Sequence, residues 1–310
     1  MLSISGKIKE LLQNQKKSWE LVTQNYAALD KVLVREVLFD GFTIKIQFNP
    51  ERIRSSAAKT DRQSIAQRPC FLCPQNRPKK QQEFNIGSYS ILTNPYPVFP
   101  EHFTITEKNH TPQRLQGRFS DMLDLAQAMN GFTLFYNGPQ CGASAPDHFH
   151  FQAGTQGIMP INNEIKSLEN KYGKKLSPAE GIWGIQDGFR NFILLESEDK
   201  NVLKKTFNRI YSFLKKISGA KDEPMMNVLA SFQKRQWKIF IFPRNKQRPS
   251  QYYAEGEDNI LVSPASVEMG GLLITPLEKD FNKITATDIR DIYQQVLYND
   301  NDFNLLIQNI

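Results

Sequence analysis

Hydrophobic and polar positions recur along this chain with two periods, and each change of period marks an element. Between residues 6 and 29, Ile8, Leu11, Leu12, Trp19, Leu21, Val22 and Tyr26 recur at helical spacing and predict one amphipathic helix. Residues 31–39 and 42–48 are β-rich runs around Asp40-Gly41, a strong hairpin signal. Short strands are predicted over 89–93, 102–106 and 132–136, with a helix over 119–130 before the last. Further on, strands over 192–196, 226–232, 237–242 and 270–274 are interspersed with helices over 201–217 and 287–297. Strands mostly follow strands with few crossover helices. That order predicts an antiparallel α+β fold and not a doubly wound sheet.

The sharpest alternation lies inside residues 136–154, YNGPQCGASAPDHFHFQAG. In His148-Phe149-His150-Phe151-Gln152, polar and aromatic residues alternate with the strand period. On a strand His148, His150 and Gln152 share one face, and Phe149 and Phe151 share the other. The segment before it, 137–146, is rich in Gly, Pro, Ser and Asn and reads as a loop whose amides can approach an anion closely. The plain alternative is a buried strand with two satisfied histidines. The chain holds only 4 histidines. Two of them in register with a glutamine favour a functional site.

Composition then narrows the class. The 310 residues are 40% hydrophobic and 23% charged, enough for a sizeable core in one large or two ordinary domains. No apolar run approaches a membrane span, and residues 1–19 lack an apolar signal core, so a cytoplasmic protein without a membrane partner is expected. The 3 cysteines do not suggest a disulfide framework. The net charge of +7 suits an anionic small molecule. Lys and Arg are scattered and no nucleic-acid motif is present, so nucleic acid is not expected as a partner.

Three further segments carry chemistry. Residues 49–68, NPERIRSSAAKTDRQSIAQR, read equally as a solvated loop or a phosphate-binding one. Cys70-Phe71-Leu72-Cys73 is half a zinc site or a redox pair, and a zinc site here would need histidines from elsewhere. The basic run 243–249 borders a pocket or faces solvent with equal weight. The second half repeats the plan of hairpin, basic loop, strand and helix without a histidine after His150.

Taken together these residues resemble the histidine-triad superfamily, in its branch of galactose-1-phosphate uridylyltransferase, diadenosine tetraphosphate phosphorylase and GDP-hexose phosphorylase. YNGPQCGASAPDHFHFQ resembles the Asn-loop-H-x-H-x-Q motif of that branch, and its HFHFQA ending is most like the GDP-hexose phosphorylases. NPYPVFPEHFTIT resembles the phosphorylase segment, CFLCPQNRP the C-x-x-C-P-x-N zinc segment, and NPERIRSS an arginine-bearing loop. MNVLASF, IFIFPR and MGGLLI resemble the degenerate second half of such proteins.

The resemblance implies two histidine-triad-like halves in one chain, with an antiparallel sheet flanked by helices. Residues 1–165 would form the catalytic half with the zinc site, and residues 166–310 a degenerate half completing the pocket. It implies His150 as nucleophile and Gln152 as the residue binding phosphoryl oxygens. It implies Cys70, Cys73, His110 and His148 as ligands of a structural Zn²⁺, and Arg52, Asn94, Asn137, Gly142 and Ser144 as substrate contacts. The implied reaction passes a nucleoside monophosphate from a nucleotide sugar or dinucleotide, through a covalent nucleotidyl-histidine, to phosphate or a sugar phosphate. GDP-hexose phosphorolysis is the favoured form, in a monomer or homodimer. The rivals are hexose-1-phosphate uridylyl transfer, a non-catalytic nucleotide-binding protein, and a zinc hydrolase using His102 and His110. Elementary chemistry agrees with the implied nucleophile. An imidazole with an unperturbed pKa of about 6.5 is mostly neutral at pH 7 and can attack phosphorus.

Overall fold

The computed structural model of the chain describes residues 3–53, 61–177 and 181–310. Part of the basic loop, residues 54–60, lies outside the described residues. The single helix predicted over 6–29 is two helices, α1 (Ile4–Ser18) and α2 (Glu20–Leu29). The chain breaks at Trp19, which is extended at φ −125° and ψ 102° with its ring buried. The apolar stripe runs through the break, so periodicity alone does not reveal it. The predicted hairpin forms as β1 (Leu33–Phe39) and β2 (Phe42–Phe48), closed by Gly41 at φ +90°. A left-handed residue there suits the twist of the hairpin turn, and glycine adopts it without steric cost.

The remaining strands are β3 (Glu83–Ile86), β4 (Tyr89–Thr93), β5 (His102–Glu107), β6 (Phe132–Asn137), β7 (His150–Thr155), β8 (Gly173–Ser177), β9 (Ile182–Gln186), β10 (Asn191–Ser197), β11 (Met226–Gln233), β12 (Gln236–Pro243) and β13 (Leu272–Thr275). The further helices are α3 (Arg62–Ala66), α4 (Phe119–Ala128), α5 (Ile161–Tyr172), α6 (Lys200–Ser218), α7 (Ser266–Met269), α8 (Glu278–Lys283), α9 (Ala286–Val296) and α10 (Asp300–Ile307). The closing helix predicted over 287–297 is thus followed by one more.

Ten strands form one antiparallel sheet in the order β3-β4-β5-β7-β6-β11-β12-β10-β9-β8. Read inward from its two edges, the sheet has the same order twice: β3-β4-β5-β7-β6 corresponds to β8-β9-β10-β12-β11. Helix α4 follows β5 as α6 follows β10. The two runs meet where β6 pairs with β11, Tyr136 opposite Val228. A smaller sheet, β1-β2-β13, packs separately, with β13 parallel to β2. The residue 165/166 boundary expected from sequence falls inside α5.

Both faces of the large sheet are buried, and strand alternation sorts its side chains between two cores. Phe103, Ile105, Phe149, Phe151, Ile193, Ile239 and Ile241 join the core under α1, α2, α4, α6 and α10. Phe192, Leu194, Leu229, Phe240 and Phe242 join the core under α5, α9 and the small sheet. In the first half, His102, Thr104, His150 and Gln152 alternate with the first set and stand on the second face. The same face is therefore polar in one half of the sheet and apolar in the other. Among the described residues no helix is long and apolar enough to cross a membrane.

Gly154 in β7 tests how tightly the polar region is packed. It lies opposite His102, and a Cβ there would come within 2.3 Å of the fully buried Phe99 ring. Gly154→Ala should lower the urea midpoint with an unchanged m-value, by about 1–3 kcal/mol of stability. An unchanged midpoint would show that Phe99 has room to move.

Candidate functional site

The site is built where β6 ends and β7 begins. Gln113, in the loop after β5, is fully buried there. Its amide nitrogen donates to the carbonyls of Asn137 and His150 at 3.0 and 2.9 Å, and its oxygen accepts from the His150 N–H at 2.8 Å. One side-chain amide thus replaces the missing strand ladder at the mouth of β7. The expectation that His148, His150 and Gln152 share a strand face is corrected accordingly. The strand begins at His150, and His148 turns away to a different cluster.

His150 is buried, and its Nδ1 lies 2.9 Å from the His148 carbonyl oxygen. A carbonyl only accepts, so Nδ1 carries the proton and Nε2 keeps its lone pair. Burial pushes the imidazole down to about 4, which holds the ring neutral near pH 7. Gln152, two residues on, takes contacts on its oxygen from His102 Nε2 at 3.0 Å and Asn94 Nδ2 at 3.3 Å.

These residues line one cavity of about 540 Å³. The sequence-identified Arg52, Asn94, Asn137, Gly142, Ser144, His150 and Gln152 all border it. Asn137 accepts on its oxygen from Asn227 Nδ2 at 3.0 Å and from the Ser266 N–H at 2.9 Å, which turns its amide nitrogen to the cavity. Gly142, at φ +93°, sits where a Cβ would come within 2.4 Å of Ala265, so it seats the loop against α7. The Ser144 carbonyl accepts from Arg68 at 2.7 Å, and the Tyr96 carbonyl accepts from Arg52 at 2.7 Å. Three guanidinium groups, Arg52, Arg68 and Arg248, share the lining with the Glu268 carboxyl, which burial pushes up.

Cys70, Cys73, His110 and His148 converge beside the cavity, their ligand atoms all within 4.8 Å of one another. Cys70 Sγ is 3.3 Å from His148 Nδ1, and Cys73 Sγ is 3.2 Å from His110 Nδ1 and 3.5 Å from His148 Nδ1. Metal–sulfur and metal–nitrogen bonds of about 2.3 and 2.0 Å at the tetrahedral angle put sulfur and nitrogen roughly 3.5 Å apart. The cluster therefore has the dimensions of a tetrahedral metal site. Its supports are also in place. Asn76 Nδ2 donates to the Cys70 carbonyl at 2.9 Å and closes the C-x-x-C turn. His148 Nε2 lies 2.8 Å from the Glu107 carbonyl, which leaves Nδ1 to face a metal. His102 is not in this cluster.

Comparison with known proteins adds to this geometry. Residues 11–155 match a family described as a domain of unknown function, DUF4922, and residues 188–310 match the GDPGP1-like C-terminal domain. The chain superposes on the crystal structure of yeast Ap4A phosphorylase Apa2 with a TM-score of 0.62 at 18% identity, covering 95% of this chain and 94% of that one. The chain thus shares the fold of the phosphorylase Apa2. The structure of Apa2 in complex with AMP gives a TM-score of 0.58 at 15% identity, covering 92% of this chain and 96% of that one. Apa2 in complex with Ap4A gives 0.59 at 16% identity, covering 93% and 97%. No curated protein matches the chain.

Within this fold, several site residues carry no signal in the sequence. Gln113 sits in the polar stretch KNHTPQ and looks like any loop glutamine. Asn227 and Glu268 lie between apolar neighbours, Trp19 lies between Ser18 and Glu20, and all three reach the site through tertiary packing alone. The basic run 243–249 divides between both readings. Arg244 is buried and donates to the carbonyls of Val296, Pro264, Lys246 and Gln247 and to Asn227. Lys246 is exposed, while Arg248 lines the cavity and stacks 4.0 Å over Tyr252.

One bound metal ion per chain is expected by elemental analysis of protein purified without added metal. Cys70→Ser and His148→Asn should each lose the ion and lower the melting temperature, because ligand groups gathered by folding couple metal binding to stability. A folded, metal-free wild-type chain would contradict the assignment.

Proposed function

We propose that the protein is a nucleotidyltransferase of the phosphorylase type, acting on a nucleoside diphosphate sugar or dinucleotide. The observation that carries this reading is His150. It is a neutral imidazole, with its proton pinned on Nδ1 and Nε2 left as a lone pair, on the wall of a cavity lined by arginines and amides. In the first displacement His150 Nε2 attacks the α-phosphorus. The Nε2–P bond forms as the bond to the bridging oxygen breaks, and the leaving phosphate departs as an anion that needs no proton. Inorganic phosphate or a sugar phosphate then attacks the same phosphorus, the N–P bond breaks, and the lone pair returns to His150. Donors from Gln152, Asn137 and the arginines are already in place for the charge on the transferred group, which is where preorganisation is worth most. The Asn94, Gly142 and Ser144 positions complete the substrate-binding wall.

The metal is read as a structural Zn²⁺. Two thiolates and two imidazoles in a closed tetrahedron suit zinc and leave no open position for water. Such a site ties the Cys70–Cys73 turn and the His110 loop to His148, two residues from the nucleophile. Residues 166–310 are read as a degenerate second half. The repeated strand order supports this, and so does Phe240 and Phe242 standing on the face that bears His150 and Gln152 in the first half. That half still supplies Gln247, Arg248, Ser263, Ala265 and Glu268 to the cavity. The division of labour is thus residues 1–165 for chemistry and 166–310 for the opposing wall.

GDP-hexose phosphorolysis is the favoured reaction, supported by the GDPGP1-like match over residues 188–310 and by the HFHFQA ending. Apa2, the structural relative, is an Ap4A phosphorylase, and its structures with AMP and Ap4A support nucleotide ligands. The test is mass spectrometry of enzyme quenched after mixing with GDP-hexose, UDP-hexose or Ap4A and no acceptor. An acid-labile nucleoside monophosphate adduct is expected on His150, with GDP-hexose giving the most. His150→Asn should fold normally, form no adduct and lose on the order of 10⁴-fold or more in turnover. Adduct from UDP-hexose alone would assign the uridylyl-transfer rival. Turnover without any adduct would remove His150 as nucleophile.

A further inference from the structure

We propose that His102 is a positioning residue that sets the orientation of the Gln152 amide, so that Gln152 offers its NH₂ group to the substrate phosphate. The proposal rests on the reading of the cavity as a phosphate-transfer site.

The argument is a chain of donors and acceptors. The Val98 N–H donates to His102 Nδ1 at 3.2 Å, so that nitrogen holds the lone pair. Burial pushes the His102 imidazole down to about 3, so the ring is neutral and its one proton is on Nε2. Nε2 stands 3.0 Å from a Gln152 side-chain atom. A proton there demands an acceptor, which makes that atom the amide oxygen. Asn94 supplies an independent check. Its oxygen accepts from the Tyr96 N–H at 2.9 Å, so its NH₂ is the end that faces Gln152, 3.3 Å away. Two donors converge on one oxygen, and the Gln152 NH₂ is left to the cavity that the residue lines beside His150. An inverted amide would set NH₂ against two N–H groups and turn an acceptor oxygen toward an anion.

The ring itself is held firmly. Phe99 packs edge-on to it at 5.4 Å and 86°, and Phe135 lies 5.9 Å away. Gly154 opposite leaves room for the Phe99 ring. Tyr26 Oη donates to the His102 carbonyl at 3.1 Å and ties this point of β5 to α2. An imidazole is a costly group to bury 1% exposed, and His102 is not one of the four residues of the Cys70–His148 cluster. Its two ring nitrogens have two complementary partners, and the second of them is a candidate catalytic side chain.

The test is a double-mutant cycle on the single-turnover rate of His150 adduct formation, joined to a measurement independent of activity. Gln152→Ala should slow the step about a hundredfold, as the loss of one preorganised donor does. His102→Leu, which keeps bulk and removes the donor, should slow it by a similar factor. The double variant should be no slower than either single one. His102→Gln should recover most of the rate, because its Nε2 reaches the position of the imidazole Nε2. Multiplied losses of about ten-thousandfold in the double variant would overturn the proposal. In ¹⁵N-labelled wild-type protein, His102 should show the neutral Nε2–H tautomer between pH 5 and 8, and the Gln152 amide resonances should shift in His102→Leu. A protonated Nδ1, or Gln152 resonances indifferent to His102, would overturn it as well. A wild-type chain that forms no adduct with any donor would refute the proposed reaction, while the tautomer and amide signals would still decide the role of His102.

Discussion

The hydrogen bond from His150 Nδ1 to the His148 carbonyl spans only two residues, yet the site depends on it. It selects the tautomer and orients the ring. It is available because the backbone at His148 is not consumed by a strand ladder. Gln113 makes that possible by satisfying the backbone of His150 and Asn137 with a single buried amide. The loop between β6 and β7 can then hold His148 toward the cysteines while His150 faces the cavity. Two histidines separated by one phenylalanine serve two unlike environments, and the break in the ladder between them is what separates those environments.

Burial does the rest of the electrostatic work. His102 and His150 are both driven toward the neutral form by desolvation. Neutrality in turn makes each ring nitrogen either a donor or an acceptor, with no ambiguity once one partner is known. The site is therefore ordered by the logic of lone pairs, with few formal charges at its centre. The formal charges sit on its walls, in Arg52, Arg68 and Arg248, with the buried Glu268 carboxyl pushed toward its neutral form.

Much of this was legible in the sequence where the signal is local. Asp40-Gly41 announced the hairpin, the HFHFQ alternation announced the polar and apolar faces of β7, and strands following strands announced an antiparallel α+β fold. The resemblance drew His110 to the cysteines across long gaps in the chain, which no periodicity could do. What stayed hidden depends on contacts between distant segments. Trp19 interrupts a helix without altering its apolar stripe, because the signal for the break is a packing site and not a glycine or proline. Glu268 stands between Val267 and Met269 in an apolar run, and only the fold turns its carboxyl to the cavity. His148 was expected on the face of His150, because period-two reasoning assumes a strand that here starts two residues later.

The cavity wall has a consequence for how such a protein comes into being. Its lining runs from Trp19 in the turn between the first helices to Ile274 in the last strand. On a ribosome the four histidines and the three cysteines all emerge well before Ser263, Ala265 and Glu268. A nascent chain therefore carries the His150 imidazole and the Cys70 and Cys73 thiols before it owns the full cavity wall. Completion of the chamber waits for β13 to pair with β2, a contact across most of the polypeptide. The cavity is thus closed late in synthesis. A chain terminated before Ser263 would lack that wall of the cavity altogether.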